Sequence, residues 1–493
     1  MGSAPREGQR GHARVSGQRL YLALPADARG RAAARAEGDP LDRAGGGPLR
    51  RRPRRRGRRG LPPDAVRPER APAGPAADPA RSPPRGATVA DRRILLADAD
   101  AFYVSVARLV DPDGAGKAPL LIVGGSAERR GVVTSASYEA RAYGVHSAMP
   151  MARAVRLCPG ATVVPVPWGA CAVKSRQIRE VLLRFTPAVE QASSDEFYLD
   201  LTGTEGLYES ESLADTARRM REAVIGETSL SLSIGAGTSK LVAKLAAGLA
   251  KPRPGVPGAG VYVVAPGAEG EFMRRFALAD IPLVGPKAQA RLARFGLRTV
   301  DDVVRHDRPT LVRWLGQREG EWLYERVRGI DRSQVEPDRE AKSISRDETF
   351  ARDLDADDAL AAKLLALSDR AASDLRDAGL LTRTVTVKIR DADFTTRQAS
   401  RTLPEPVSSD RVVYAVAREL LARLRVARRM PARLVGVALS QLVQQEAGTQ
   451  ASLFESAEPA RETERDRQIA RVIDEVRQKF GPDALGRGGT REM

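Results

Sequence analysis

The sequence predicts a multidomain α/β (α+β) protein in which a basic N-terminal extension precedes several folded units. Its 493 residues exceed what one hydrophobic core can organise. From Arg92 onward, strand-like apolar runs alternate with amphipathic helical patterns. Residues 1–88 are instead rich in Arg, Pro, Gly and Ala and show no such period. Folded structure is therefore expected to begin near Arg92.

The N-terminal extension carries most of the formal net charge of +17. Within it, only Pro53 and Gly57 interrupt the run Arg50–Arg59. We expect residues 1–88 to be disordered, either as a basic arm that holds a polyanion nonspecifically or as an unselected stretch upstream of the true start. The second interpretation is favoured, because no aromatic or periodic pattern is interleaved with the arginines.

The composition restricts the kinds of site that the protein can contain. Cys158 and Cys171 have neither zinc-ligand nor redox-motif spacing, and three histidines are too few for a His-rich metal centre. A catalytic metal would then be held by carboxylates, which favours magnesium. No apolar run is long enough to span a bilayer, and no secretory signal is apparent. A soluble cytoplasmic protein without membrane partners is expected.

The first folded elements place acidic residues at strand ends. The run Ile94–Ala97 predicts a strand buried on both faces that ends at Asp98. A helix follows, with an apolar face predicted to contain Phe102, Val106, Leu109 and Val110. Residues 189–201 predict two strands that meet at Asp195 and Glu196.

Two further units follow in the second half of the chain. Residues 281–285 predict a tight turn between helices, in the manner of a helix-hairpin-helix. From Lys342 the pattern is strand, helix, two strands, helix and strand, which predicts a separate small α/β domain. Beyond Val443 the chain is polar, and a weak helical pattern covers residues 463–480.

Asp98, Asp195 and Glu196 are candidates for a divalent-cation site. Clustered carboxylates repel one another unless a cation lies between them, and paired magnesium ions serve phosphoryl transfer. Spacing alone leaves the alternative open, because acidic residues at strand ends and turns are commonly only solvated.

Four ordered blocks of sequence resemble the Y family of DNA polymerases, and the resemblance spans about residues 92–443. The blocks are Asp98-Ala99-Asp100-Ala101-Phe102-Tyr103, Tyr138-Glu139-Ala140-Arg141, Ser194-Asp195-Glu196-Phe197-Tyr198-Leu199-Asp200 and Leu249-Ala250-Lys251-Pro252. Any one block alone would be weak evidence. Together they identify the chain as similar to this family.

The resemblance implies a right-hand polymerase. The implied units are a ferredoxin-like palm (92–101 and 167–266), small fingers (102–166), a helical helix-hairpin-helix thumb (267–330), a linker (331–341), a βαββαβ little-finger domain (342–443) and a polar tail (444–493). Its implied activity is error-prone, template-directed translesion synthesis, adding dNTPs to a primer 3′-hydroxyl with two Mg²⁺ and no proofreading exonuclease. The expected state is a monomer bound to primer-template DNA.

The resemblance also assigns roles at the active site. Asp98, Asp195 and the Ala99 carbonyl would bind metal, and Glu196 would join the primer-side ion. Tyr103 would be the steric gate against ribonucleotides. The predicted triphosphate ligands are Ser135, Tyr138, Arg141 and Lys251. Helical spacing places Tyr138 and Arg141 on one face, with Ser135 one turn earlier. The same spacing argument places a group of lysines on one face of a later helix, namely Lys240, Lys244 and Lys251.

Other residues are expected to bind DNA and a sliding clamp. Gly285 and Lys287 would meet a DNA phosphate at a helix N-terminus. Strand alternation predicts that a second basic group shares one sheet face, and its members are Lys388, Arg390, Arg397 and Arg401. Gln450, Leu453 and Phe454 lie in a segment, 450–454, that resembles the bacterial clamp-binding peptide.

Three residues depart from the family pattern, namely Ser194, Phe197 and Leu283, and their effects are left open. Two rival functions fit the sequence less well. A catalytically reduced relative, acting as a DNA- and clamp-binding factor, would be expected to lose its carboxylates. A nucleotide cyclase would have no use for the hairpin turn, the C-terminal domain or the clamp-like peptide.

Overall fold

The computed structural model describes residues 92–208, 211–253, 255–444, 462–481 and 484–485. The predictions for residues 1–88 and for the peptide 450–454 lie outside the described residues. Among the described helices, none combines the length and the apolar character required to cross a membrane. Cys158 and Cys171 are both buried free thiols.

A five-stranded sheet occupies the centre of the N-terminal half, with strand order β5-β6-β1-β7-β8. All six residues of β1 are buried, as expected for a central strand covered on both faces. The elements of this half are β1 (Ile94–Ala99), α1 (Phe102–Val110), β2 (Leu121–Gly124), β3 (Val133–Ala136), α2 (Tyr138–Ala142), α3 (Met151–Leu157), β4 (Thr162–Val164), α4 (Trp168–Leu182), β5 (Val189–Gln191), β6 (Glu196–Asp200), α5 (Leu213–Thr228), β7 (Leu232–Gly237), α6 (Lys240–Ala250) and β8 (Val261–Val263).

Helix α6 lies unusually close to strand β7. A Cβ atom at Gly235 would come within 2.0 Å of the Ala247 nitrogen, so the close approach requires glycine. This contact fixes the helix over the central strands. It therefore sets the positions of the lysines that α6 carries.

A three-stranded sheet, β3-β2-β4, is inserted between β1 and α4. Helix α1 packs against both sheets, because Phe102 and Val106 join one core while Val104 and Ala107 join the other. The predicted apolar face of α1 is wrong in its last turn, where Leu109 and Val110 are exposed. Contacts with two sheets, rather than one, decide which side of the helix is buried.

The helical unit that follows shares an apolar core with helix α6. Its Pro282–Gly285 turn leads into α8 with Gly285 as the N-cap residue and Pro286 in the first turn, as the sequence predicts. Leu283 adopts the left-handed conformation, with a φ of 75°, and its side chain is exposed. The helices are α7 (Glu269–Met273), α8 (Pro286–Ala293), α9 (Val300–Val304), α10 (Arg308–Leu315) and α11 (Gln317–Arg326).

The C-terminal unit has the predicted βαββαβ order, with strand order β11-β10-β12-β9. Helices α12 and α13 cover one face of this four-stranded sheet, and a final helix contacts the unit through ion pairs such as Arg376–Asp474. The elements are β9 (Ser343–Leu354), α12 (Asp357–Asp377), β10 (Leu380–Asp391), β11 (Thr396–Val407), α13 (Asp410–Ala427), β12 (Ala432–Gln444) and α14 (Glu464–Phe480).

The prediction that four basic side chains share one face of this sheet is wrong. Arg397 pairs with Ile389 and Arg401 with Val385, and both apolar partners belong to the core beneath the helices. Directly opposed residues of an antiparallel pair point to the same face. Arg397 and Arg401 therefore lie on the helix-covered side, where Arg401 pairs with Glu419 of α13. Of the four, Lys388 and Arg390 lie on the open face.

Candidate active site

Strand register brings the three predicted carboxylates to one edge of the five-stranded sheet. Asp98, near the end of β1, is the direct register partner of Glu196 at the start of β6. The Ala99 amide donates to the Asp195 carbonyl at 2.9 Å. Residues almost one hundred positions apart in sequence thus become immediate neighbours.

Each carboxylate has a polar partner in this structure. The Lys251 ammonium donates to Asp98 at 2.6 Å, and that of Lys244 donates to Glu196 at the same distance. The Ser193 hydroxyl donates to Asp195 at 2.7 Å. The side chains point to these partners in this structure. Among the described residues, there is no group of three or more Asp, Glu, His or Cys side chains that could hold a metal ion.

The donor set nevertheless fits a hard divalent cation. Carboxylates with a neighbouring backbone carbonyl, that of Ala99, are the oxygen ligands that magnesium prefers. Two of the acids already contact ammonium groups, so the edge attracts positive charge.

The acidity of the carboxylates reflects their burial and, to a lesser extent, their crowding. Burial raises the pKa of Asp98 to about 6, and the nearby Glu196 and Asp195 add to the rise, while Lys251 opposes it. Burial likewise raises the pKa of Asp195. Negative charge at this edge is therefore costly, and a bound cation would relieve that cost.

The sequence predicted two groups of residues on helical faces, the lysine group that includes Lys251 and the group that includes Ser135. Both predictions are wrong in part. Helix α6 ends at Ala250, and Lys251 has an extended backbone. The cause is Pro252, because a proline disfavours helical geometry in the residue before it. Lys251 reaches Asp98 from this extended position. Ser135 lies on strand β3, one element before the helix that contains Tyr138 and Arg141.

Tyr138 and Arg141 share one side of α2, as their spacing predicts. The Arg141 guanidinium lies 4.9 Å from the centre of the Tyr138 ring. The Tyr138 hydroxyl is buried and has no hydrogen-bond partner among the described residues. Burial and the nearby Asp100 raise the pKa of Tyr138 to about 12. An orphaned hydroxyl beside a guanidinium is suited to an anionic ligand such as a triphosphate.

Tyr103 is held at the same site by a contact that the sequence did not predict. Its hydroxyl lies 3.0 Å from the Ser194 hydroxyl, and its ring meets that of Trp168 edge-on at 6.0 Å. The sequence contained one signal for this contact, namely that Ser194 departs from the family pattern. Phe197, the neighbouring departure, is buried in the core of the five-stranded sheet, so it acts through packing beneath the carboxylates.

Asp100 is a fourth acidic residue near this site, and both of its carboxylate oxygens accept hydrogen bonds from β7 and the residue before it. It accepts hydrogen bonds from the hydroxyls of Ser231 and Ser233, each at 2.8 Å. These bonds join the end of β1 to the start of β7. Asp100 therefore stabilises the sheet edge through both of its carboxylate oxygens.

Comparisons with known proteins identify the family. Residues 97–248 match the impB/mucB/samB family, and residues 341–453 match that family's C-terminal domain. Residues 279–331 match the thumb domain of DNA polymerase-iota. A DNA polymerase IV of Dehalococcoides mccartyi is 35% identical over 402 residues, which cover 82% of this chain and 98% of the relative. The chain belongs to the Y family of DNA polymerases.

Two other comparisons agree with this Y-family assignment. A DNA polymerase IV of Desulfatibacillum aliphaticivorans is 37% identical, over 79% of this chain and 94% of the relative. A solved Y-family polymerase chimera of Dbh and Dpo4 shares the fold, with a TM-score of 0.63 at 23% identity, over 71% of this chain and 99% of that one. The predicted right-hand polymerase fold is confirmed, and the protein is a translesion DNA polymerase.

Proposed function

We propose that this Y-family polymerase adds dNTPs to a primer 3′-hydroxyl with two Mg²⁺ ions held by Asp98, Asp195, Glu196 and the Ala99 carbonyl. The observation that carries the proposal is the register between β1 and β6, which places these oxygens at one sheet edge. Family membership implies a divalent-metal-dependent enzyme. We propose that the divalent metal is magnesium and that two ions bind.

The bound ions would neutralise the triphosphate and favour deprotonation of the primer hydroxyl. The chain's own residues bind and orient the nucleotide. Lys251, now 2.6 Å from Asp98, would turn to the triphosphate. Ser135, Tyr138 and Arg141 are proposed to complete that anion site. Tyr103, held by Ser194, would stand beneath the sugar and exclude a 2′-hydroxyl.

Duplex DNA is proposed to contact two surfaces. The open face of the four-stranded sheet carries Arg390 and Lys388, which pairs with Asp347, among hydroxyl side chains that include the Thr384–Thr402 and Thr386–Ser400 pairs. Such a polar, mildly basic face suits a phosphate backbone and carries no means of reading sequence. Gly285 and Lys287 at the N-terminus of α8 would bind a further phosphate.

Replacing Asp195 tests the catalytic proposal. Asp195→Ala should lower magnesium-dependent primer extension by at least about a hundredfold, because a metal ligand contributes several kcal/mol to the transition state. Primer-template affinity should persist. The matched control is Asp113→Ala, in an exposed turn. Normal extension by the Asp195 variant would overturn the metal assignment.

Interaction with a bacterial sliding clamp through residues 450–454 remains a proposal from sequence. A peptide that presents Leu453 and Phe454, with Gln450 at its edge, can insert into an apolar groove of a partner. Replacing Leu453 and Phe454 with Ala should remove stimulation of synthesis by the clamp, measured as product length. Unchanged stimulation would reject this assignment. A monomeric, cytoplasmic enzyme is proposed on the same basis.

A further inference from the structure

Trp168 is a half-exposed aromatic residue beside Tyr103, the proposed gate. It is the first residue of α4 and is 48% exposed. The centre of its ring lies 6.0 Å from that of the Tyr103 ring, and the two ring planes meet at 77°. An edge-to-face pair of this geometry favours one relative orientation of the two rings, beyond the effect of apolar burial. The contact therefore joins α4 to the orientation of the gate.

The hydrogen bond to Ser194 fixes only part of the geometry of Tyr103. The phenol oxygen lies on the axis about which the ring rotates, so a bond to that oxygen leaves the rotation free. This torsion has only a broad, two-fold preference in tyrosine. Contacts at the sides of the ring select its plane, and two of them come from Phe102, at 5.2 Å, and from Trp168. Phe102 precedes Tyr103 on α1, whereas Trp168 makes its contact from a separate element.

Helix α4 is held in place by contacts that do not involve the Trp168 side chain. Cys171 and Ile178 are buried in the core of the five-stranded sheet. The Gln191 amide of β5 donates to the Ser175 hydroxyl of α4 at 2.9 Å. The start of α4 is thus a fixed support for the indole. Since that indole is half exposed, its removal should leave the fold intact.

We propose that Trp168 is a positioning residue that fixes the plane of the Tyr103 ring and so contributes to the exclusion of ribonucleotides. A ring held in one plane presents a defined surface to the 2′ position of the sugar, whereas a ring that rotates can yield to a 2′-hydroxyl. Ser194 then sets the position of the phenol oxygen, and Trp168 sets the plane of the ring. The inference rests on the gate role of Tyr103 in the proposed function.

Single-nucleotide insertion kinetics with ribonucleotides and deoxynucleotides test the inference. Trp168→Ala should raise the ribonucleotide-to-deoxynucleotide ratio of kcat/KM by about three- to tenfold, the scale of one aromatic pair. The change should come mainly from a lower KM for the ribonucleotide, because a clash at the 2′ position opposes its binding. Trp168→Phe keeps a ring edge and should preserve most of the discrimination. Trp168→Leu keeps apolar volume without a ring and should behave like the Ala variant.

A double variant distinguishes action through Tyr103 from a direct contact between Trp168 and the nucleotide. Tyr103→Ala removes the gate ring, so the addition of Trp168→Ala should change the ratio no further. A further increase in the double variant would overturn the positioning role.

The matched control is Val173→Ala, because Val173 also lies on α4 and is also 48% exposed. This control should keep the wild-type ratio. The inference is wrong if Tyr103→Ala raises the ratio while Trp168→Ala and Trp168→Leu leave it unchanged. An unchanged ratio in Tyr103→Ala itself would instead contradict the proposed gate, and this inference with it.

Discussion

At the residue scale, the hydroxyl of Ser194 is one of the features that distinguish this active site from the family pattern. Ser194 stands where a large aliphatic residue is usual, and its hydroxyl lies 3.0 Å from that of Tyr103. An aliphatic side chain could only pack against the ring, whereas serine can fix the position of the phenol oxygen. We infer that Ser194 orients Tyr103 beneath the sugar of the incoming nucleotide.

Removing this hydrogen bond should weaken sugar discrimination. Ser194→Ala should raise the ratio of ribonucleotide to deoxynucleotide incorporation by about three- to tenfold, corresponding to one hydrogen bond of about 1 kcal/mol. Single-nucleotide insertion kinetics would measure this ratio. Tyr103→Phe keeps the ring and loses the same bond, so the double variant should be no worse than either single variant. Additive effects would show that the two hydroxyls act separately.

At the element scale, the turn before α8 keeps its geometry despite an unfavourable residue. The family usually has glycine where this chain has Leu283, yet the φ of 75° is the value that glycine adopts easily. The side chain is 78% exposed, so burial does not compensate for the strain. The tertiary contacts of the flanking Ile281 and Val284, both buried, hold the turn in place.

Restoring glycine at this turn should stabilise the helical unit. Leu283→Gly should raise the free energy of unfolding by about 1 kcal/mol, because left-handed backbone is strained for residues with a Cβ atom. Urea denaturation would measure the change. Leu283→Ala keeps the Cβ and should give no comparable gain. Equal stabilities of the Gly and Ala variants would contradict this account of the strain.

At the scale of the whole molecule, the segment after α11 is anchored to the five-stranded sheet. Buried Glu190 accepts from the Lys240 ammonium at 2.6 Å and from the Glu336 amide at 2.8 Å. Arg92 donates to the Ser333 carbonyl at 2.9 Å, and Val335 packs near Tyr198. The chain between the helical unit and the C-terminal unit is thus tied to the sheet that carries the carboxylates.

Breaking this anchor should loosen the connection between units. Glu190→Ala should lower the free energy of unfolding by about 3 kcal/mol, since it leaves the Lys240 charge partly buried without its partner. Limited proteolysis should also cut residues 331–341 faster. Glu336→Ala is the control, because Glu336 contributes its backbone amide while its side chain is exposed. It should stay within about 0.5 kcal/mol of the wild type. Equal proteolysis rates for the two variants would contradict the role of Glu190.

The sequence by itself determined the element types, the α/β class and the candidate carboxylates, because periodicity and turn chemistry are local properties. It also predicted that Asp195 and Glu196 lie at the meeting of two strands. The tertiary structure alone decided which distant residues meet. Register placed Asp98 opposite Glu196 and turned Arg397 and Arg401 towards the helices, and it set Ser194 against Tyr103. Strand pairing acts between residues far apart in sequence, and a shift of one position reverses every side chain, so no local pattern encodes it.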